Sequence, residues 1–188
     1  NTFRSIINNA NSRQVITSNR TAFPLPANIA PTNTSATVSF YDQYNANSTN
    51  GNIALYSGTL DIGNNFVIAN NFSSNNSNVR AVNFGPNGRL LLQGIGINTW
   101  DLTTTTNFTL PGSNIARIEF SSTGAQTMIS GSFTNYPIIM KTGAGNLTTT
   151  GNFTANSFVG RGNGYVILTA GTTITAPNWS LIGQPNPS

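Results

Sequence analysis

The stretch NNFSSNNSNVRAVNFGPNGRLLLQG, residues 70 to 94, runs through nine positions almost entirely of asparagine and serine and then turns abruptly apolar. From Ala36 onward the chain repeats this alternation: uncharged polar tracts rich in Asn, Ser, Thr and Gly separate apolar runs of four to eight residues. No feature constrains the fold more. Disorder driven by low hydrophobicity needs a high net charge to keep the chain extended, and charged residues are only 6% of this sequence. The chain therefore folds, and its solubility comes from amides and hydroxyls. Its 30 Asn, 26 Thr, 18 Ser and 18 Gly make up about half of it. Asn and Gly favour tight turns and Thr suits pleated strands, so the mixture specifies an all-β protein.

The apolar runs carry a two-residue period. ATVSFYDQY places Val38 and Phe40 on one face. NIALYS, NFVIAN, VRAVNF, RLLLQ, INTWDL, NIARIEF, PIIMK and YVILT follow, punctuated by Gly-Asn, Asn-Gly, Ser-Asn or Pro-Gly. About fifteen such strands are expected at spacings near ten residues, shorter and more numerous than a two-sheet sandwich needs. Self-similarity is present as well. GNNFVIANNF (63–72) resembles TGNFTANSFV (150–159), and INTWDL (97–102) resembles APNWSLIG (176–183). Recurring short elements along one direction mark a solenoid. The expected body, residues 35–188, is a parallel β-helix of about six coils of roughly 20 to 25 residues, with a β-sandwich as runner-up. Apolar runs become inward ladders, Asn and Thr corners bond coil to coil, and like charges are avoided because stacking would bring them within about 4.8 Å.

Residues 1–34 differ. TFRSIINNA permits a weak helical turn or two, and Pro24, Pro26 and Pro31 make the following stretch an extended arm. Phe23, Leu25 and Ile29 are its candidate assembly contacts, against this body or a neighbour's. The tail QPNPS reads as a strand terminator.

Chemistry is sparsely provided. With no His and no Cys, the commonest general base and the usual zinc ligands are missing, and no disulfide is possible. The acids are Asp42, Asp61, Asp101 and Glu119. A glycosidase pair would have to come from Asp61, Asp101 and Glu119 converging on one face. The simpler expectation is that Glu119 pairs with Arg117 or with a neighbouring coil and that Asp101 sits at a turn. Asp61 with backbone carbonyls is the only calcium candidate. GRGNG at 160–164 lacks the lysine and helix of a phosphate loop and reads as a turn. No catalytic, cofactor-binding or metal site is assigned, and the protein is not expected to be an enzyme. Arg4, Arg13, Arg20, Arg80, Arg89, Arg117, Lys141 and Arg161 are dispersed, so no nucleic acid is expected as a partner. No apolar run approaches the roughly 20 residues of a membrane span, and membrane insertion is not expected. The opening at Asn1 reads as a processed or trimmed start. Nine N-x-S/T sequons are little more than this composition supplies by chance.

Residues 63 to 110 resemble an Asn/Thr/Ser-rich repeat of structural proteins inferred for tailed bacteriophages and their environmental relatives. The positions that carry the resemblance are Phe72 to Ser74, Asn76 to Asn78, Arg80, Phe84, Gly85, Gly88, Gly94 and Trp100. Pro86 and the leucines of GPNGRLLLQG depart from the repeat's more Thr-rich strand. The resemblance implies a non-enzymatic virion component, a fibre or appendage subunit or a capsid-decorating protein. Its partners would be copies of itself, with a trimer favoured, and other virion proteins. The alternative is a prokaryotic cell-surface filament or adhesin subunit joined by donor-strand exchange of the arm. A third reading is a carbohydrate-binding or carbohydrate-cleaving module with a host-surface glycan as ligand, its aromatics drawn from Tyr41, Tyr44, Tyr56, Tyr136, Tyr165, Trp100 and Trp179. The corresponding locations are the virion or the cell surface.

Overall fold

The computed structural model describes residues 14–17, 27–29, 34–46, 51–111 and 115–183. In chain order the strands are β1 (Gln14–Ile16), β2 (Ala27–Ile29), β3 (Thr37–Phe40), β4 (Tyr44–Asn45), β5 (Ile53–Leu55), β6 (Gly58–Gly63), β7 (Phe66–Ala69), β8 (Phe72–Ser73), β9 (Arg80–Phe84) and β10 (Arg89–Leu92). There follow β11 (Gly96–Asp101), β12 (Phe108–Thr109), β13 (Arg117–Phe120), β14 (Gln126–Ile129), β15 (Tyr136–Lys141), β16 (Leu147–Thr150), β17 (Phe153–Gly160), β18 (Val166–Leu168), β19 (Ile174–Thr175) and β20 (Trp179–Leu181). Among the described residues there is no helix. Every strand pair among the described residues is parallel.

The strands fall into three sheets that wind as a β-solenoid of about six turns. The first face is β1-β3-β6-β9-β12. The second is β4-β7-β10-β13-β15-β17, whose last strand pairs with both β19 and β20. The third is β2-β5-β8-β11-β14-β16-β18. The solenoid expected from the alternating pattern is thus the observed fold, and the sandwich is excluded, since that architecture pairs its strands antiparallel.

Inward positions stack coil on coil. On the second face one ladder runs Tyr44, Val67, Leu90, Ile118, Ile139, Phe158, Trp179. On the third face another runs Ile53, Phe72, Trp100, Met128, Thr149, Leu168. Val38, Leu60 and Val82 form the corresponding row on the first face. All three rows converge on one buried core. Burying apolar surface at about 25 cal/mol per Å² is what drives the coils together, and the parallel backbone bonds set their spacing.

Corner side chains add bonds between coils, as the amide-rich tracts lead one to expect. Asn71 Nδ2 donates to Asn52 Oδ1 at 3.1 Å, and Asn65 Nδ2 donates to Phe40 O at 2.6 Å. Asn146 and Asn152 accept from the backbone N–H groups of Tyr165 and Thr173 one coil later, at 2.9 and 2.8 Å. GRGNG is a turn that leads into β18.

One corner requires glycine for close approach. A Cβ on Gly145 would lie 1.9 Å from Gly124 O and 2.3 Å from its carbonyl carbon, and one on Gly164 would lie 2.2 Å from Gly145 O. These neighbours are backbone held in the stack, so they cannot yield as a side chain would. Gly145→Ala is expected to destabilise by about 1–3 kcal/mol, read as a lower urea midpoint. An unchanged midpoint would mean the corner is loose.

Two features differ from the sequence reading. Coils step by 22 residues from Thr37 to Thr59 on the first face, by 28 from Phe72 to Trp100 and by 19 from Leu147 to Val166 on the third, a wider range than expected. The similar segments also do not occupy equivalent places: Trp100 lies on the third face and Trp179 on the second. Their likeness reflects a shared strand-forming composition.

Within residues 1–34, β1 and β2 are extended and pair with β3 and β5. Ile29 closes β2 with its backbone opposite Leu55. Phe23 and Leu25, the stretch TFRSIINNA, Pro24, Pro26 and Pro31, and the tail QPNPS lie outside the described residues.

Candidate functional site

The acids considered for catalysis are not brought together. Asp61 is in β6 on the first face, Asp101 ends β11 on the third, and Glu119 is in β13 on the second. Three sheets facing three directions cannot present a pair of carboxyls to one substrate, so the convergence on one face that the sequence allowed does not occur. The coil lengths decide this, because they set which sheet each residue reaches.

Each acid has structural neighbours instead. Asp61 Oδ2 accepts from the Ser39 hydroxyl at 3.0 Å, and its Oδ1 from the Gly63 N–H at 3.2 Å. Asp101 Oδ1 accepts from both the N–H and the hydroxyl of Thr103, at 2.9 and 2.7 Å, a turn that closes its strand. Glu119 pairs with Arg89 of the preceding coil at 2.8 Å, and its other oxygen accepts from the Thr142 hydroxyl of the next coil at 2.7 Å. The Arg89 guanidinium also lies over the Phe66 ring, 4.3 Å from its centroid. Of the two partners expected for Glu119, the neighbouring coil is the one found.

Arg80 has a role that composition did not reveal. Its side chain points inward at the start of β9 and is fully buried. Nε donates to Ser74 Oγ at 2.7 Å and to Ser74 O at 3.2 Å. Nη1 donates to Asn78 O and Thr106 O at 2.8 and 2.7 Å. Nη2 donates to Ser74 O at 2.8 Å and also to Thr104 O. The guanidinium thereby ties the 74–78 corner of one coil to the 104–106 corner of the next, with Phe108 packed 5.4 Å away. Burial pulls its pKa down from the ordinary arginine value, but arginine stays protonated in proteins. Ser74, Asn78 and Arg80 all belong to the run that carries the phage-repeat resemblance. That spacing was the one available signal, and its meaning here is a corner clamp.

Lys141 is buried at an inward ladder position, between Phe120 and Gly160 in register. Its ammonium donates to Gly143 O at 2.5 Å and Arg161 O at 3.4 Å. Burial lowers its pKa. The folded chain therefore holds fewer protons than the unfolded one between the lowered value and the ordinary lysine value. Stability rises with pH across that window. Lys141→Met keeps the stem and removes the charge. The urea midpoint of the wild type is expected to rise relative to that of Lys141→Met as pH climbs through the window, and a gap that stays constant with pH would contradict this. Both proteins share the same tyrosines, so the comparison isolates the amine.

Of the aromatics considered as sugar platforms, Trp100, Tyr136 and Tyr44 are core residues, while Tyr41, Tyr56, Tyr165 and Trp179 are exposed. Tyr56 borders a shallow groove of about 350 Å³ on the third face, with Asn52, Ala54, Asn71, Asn98 and Asp101 around it.

The C-terminal end of the solenoid breaks the pattern of buried ladders. Phe158 and Leu147, inward on the second and third faces, are fully buried. One coil later Val166, opposite Leu147, still packs against the core, while Trp179, opposite Phe158, is 45% exposed, and Leu168 and Leu181, opposite Thr149 and Gly160, are 47% and 59% exposed. Ile167 and Ile182 add further exposed apolar surface, and a depression lined by Gly160, Tyr165, Val166, Leu181 and Ile182 lies among them. Residues 162–183 contain no Asp, Glu, Lys or Arg. In the sheet order, β18 ends the third face, and β19 and β20 end the second.

Comparison with protein-family models, with curated proteins and with solved structures yields no match to this chain.

Proposed function

We propose that this protein is a non-enzymatic structural subunit of a tailed-phage virion, a fibre or appendage component or a capsid-decorating protein, acting through self-assembly and attachment. The observation that carries the reading is where the chain places its charge. Arg80 joins two coil corners, and Arg89, Glu119 and Thr142 link three successive coils through polar contacts. Lys141 reaches from its own strand to the carbonyl of Arg161 in the next coil. Charged groups spent on stacking suit a rigid rod better than a reaction site, and the resemblance at residues 63–110 supplies the virion context. Antibodies raised against the purified chain are expected to label tailed particles in cultures that make it. Labelling confined to cell envelopes would sink the virion assignment and favour the cell-surface filament.

The groove beside Tyr56 favours one further reading, a glycan-binding module. Its amides and half-exposed ring suit an uncharged sugar, whose hydroxyls the amides bind while the ring covers its apolar side. Retention on an immobilised neutral polysaccharide, lost in Tyr56→Ala, would establish it. Equal elution of both proteins would remove it.

A further inference from the structure

We propose that one side of the solenoid binds ice, through a two-column array of outward side chains: Ser132, Asn152 and Thr173 in one column, Thr134, Thr154 and Thr175 in the other. The proposal stands on this lateral surface and is independent of the virion reading.

The array begins in the sequence. A polar residue, an apolar one and a threonine recur as NFT at 107–109, SFT at 132–134, NFT at 152–154 and TIT at 173–175. The fold stacks these triplets. Thr154 lies opposite Thr175 in register. The Thr154 N–H donates to Phe133 O at 3.3 Å, the slanted bond that sets Thr134 opposite Thr154 in a parallel pair. The middle residues turn inward: Phe153 belongs to the core, and Phe133 and Ile174 pack against it. Their neighbours on either side therefore turn outward, and together with Phe153 the six line a shallow trough of about 280 Å³. The Phe108 ring meets Phe133 at 5.4 Å, so Thr109 extends one column by a coil.

Spacing, stiffness and composition all point to a lattice of water as the ligand. Neighbouring strands lie about 4.8 Å apart and alternate residues about 6.7 Å apart along a strand, near the two oxygen repeats on a prism face of ordinary ice. Threonine is β-branched and stiff at χ1, and the Asn152 Oδ1 is held by the Thr173 N–H at 2.8 Å. Groups fixed before contact lose little freedom on binding. Residues 131–135, 151–155 and 172–176 carry no charge, so no ionic hydration shell competes with the lattice. The hydroxyls of Thr134, Thr154, Thr173 and Thr175 have no hydrogen-bond partner among the described residues. On the third face, by contrast, the Thr150 and Thr169 hydroxyls bond each other at 2.9 Å, and Asp101 stands in the row of Thr150. A trough with no exposed ring and no charged group has little to orient a single sugar. Coils added at either end would lengthen the stack without covering its side.

The test is partition of the 188-residue chain into a slowly grown ice front, beside Thr134→Lys, Thr154→Lys and the control Tyr165→Lys. Tyr165 is 66% exposed just before β18 on the third face, so it controls for an added charge away from the array. Lysine at an outward position sends its ammonium into water and leaves the core intact, which a wild-type β-type circular dichroism spectrum checks. If a lysine variant fails that check, Thr134→Ser combined with Thr154→Ser takes its place, keeping both hydroxyls and removing the methyls that stiffen them. The expected result is enrichment of the wild type and the control in ice, with partition of each array variant lowered roughly tenfold. Exclusion of the wild type from ice would overturn the proposal. Array variants that partition like the wild type would overturn its location. Exclusion from ice together with retention on an insoluble neutral polysaccharide, lost in the array variants, would replace it with a glycan site. Antibody labelling of particles reads the virion assignment separately, so either reading can fail without the other.

Discussion

Arg80→Ala is expected to cost about 3–5 kcal/mol of stability, the range for removing one partner of a buried charged network. The loss has two sources. Six donor–acceptor contacts disappear, and the carbonyls of Ser74, Asn78, Thr104 and Thr106 lose the side chain that held them. Arg80→Lys is expected to recover little. An ammonium has three donors against the guanidinium's five in a planar fork, so it cannot serve both corners at once. The measurements are urea unfolding and amide hydrogen exchange. Faster exchange should appear first at residues 74–78 and 104–106, where the clamp acts. A cost under about 1 kcal/mol, as for a surface pair, would show that the two corners hold without it.

Trp100→Ala is expected to cost a further amount of the same order, about 3–5 kcal/mol. The indole is fully buried and stacks on Phe72 with centroids 4.4 Å apart, and it meets Tyr136 edge-on at 5.9 Å. Its Nε1–H donates to the Tyr136 hydroxyl at 3.1 Å, which in turn donates to Ser130 O at 3.2 Å. Removing the ring leaves a cavity between two coils and takes from the buried Tyr136 hydroxyl its one N–H donor, leaving it the bond to Ser130 O; burial already raises the Tyr136 pKa above the ordinary tyrosine range. Trp100→Phe keeps the stack and loses the N–H, so its expected cost is about 1–3 kcal/mol. Fluorescence offers a check on placement, because the only other tryptophan, Trp179, is 45% exposed. Trp100→Phe should remove the blue-shifted emission and leave the red-shifted part. Similar costs for the two substitutions would show that the hydrogen bond outweighs the stacking.

The local pattern made the fold legible. Val38 and Phe40, or Leu90 and Leu92, alternate inward as a two-residue period requires, and the uncharged corners at Asn52, Asn71 and Asn146 bond coil to coil as stacked amides do. What the pattern does not encode is the length of each turn. Steps between 19 and 30 residues decide which sheet a residue reaches, and this scattered Asp61, Asp101 and Glu119 over three faces. The same uncertainty hid the partner of Glu119: register sets Arg89 directly opposite Arg117, a like-charge stack the sequence reading did not expect, and Glu119, diagonal to Arg89, is the acid that pairs with it. Arg80 was invisible for another reason. Dispersed cations usually lie at the surface, and only the fold shows that this one meets a ring of backbone carbonyls.

Whether this solenoid self-associates, as a structural subunit must, is read by small-angle X-ray scattering of the 188-residue chain across a concentration series. About six turns at roughly 4.8 Å each make a described body about 30 Å long. The structural-subunit reading predicts particles of two or more times the monomer mass of 19.9 kDa, with a trimer expected. Particles of 19.9 kDa at every concentration would contradict it.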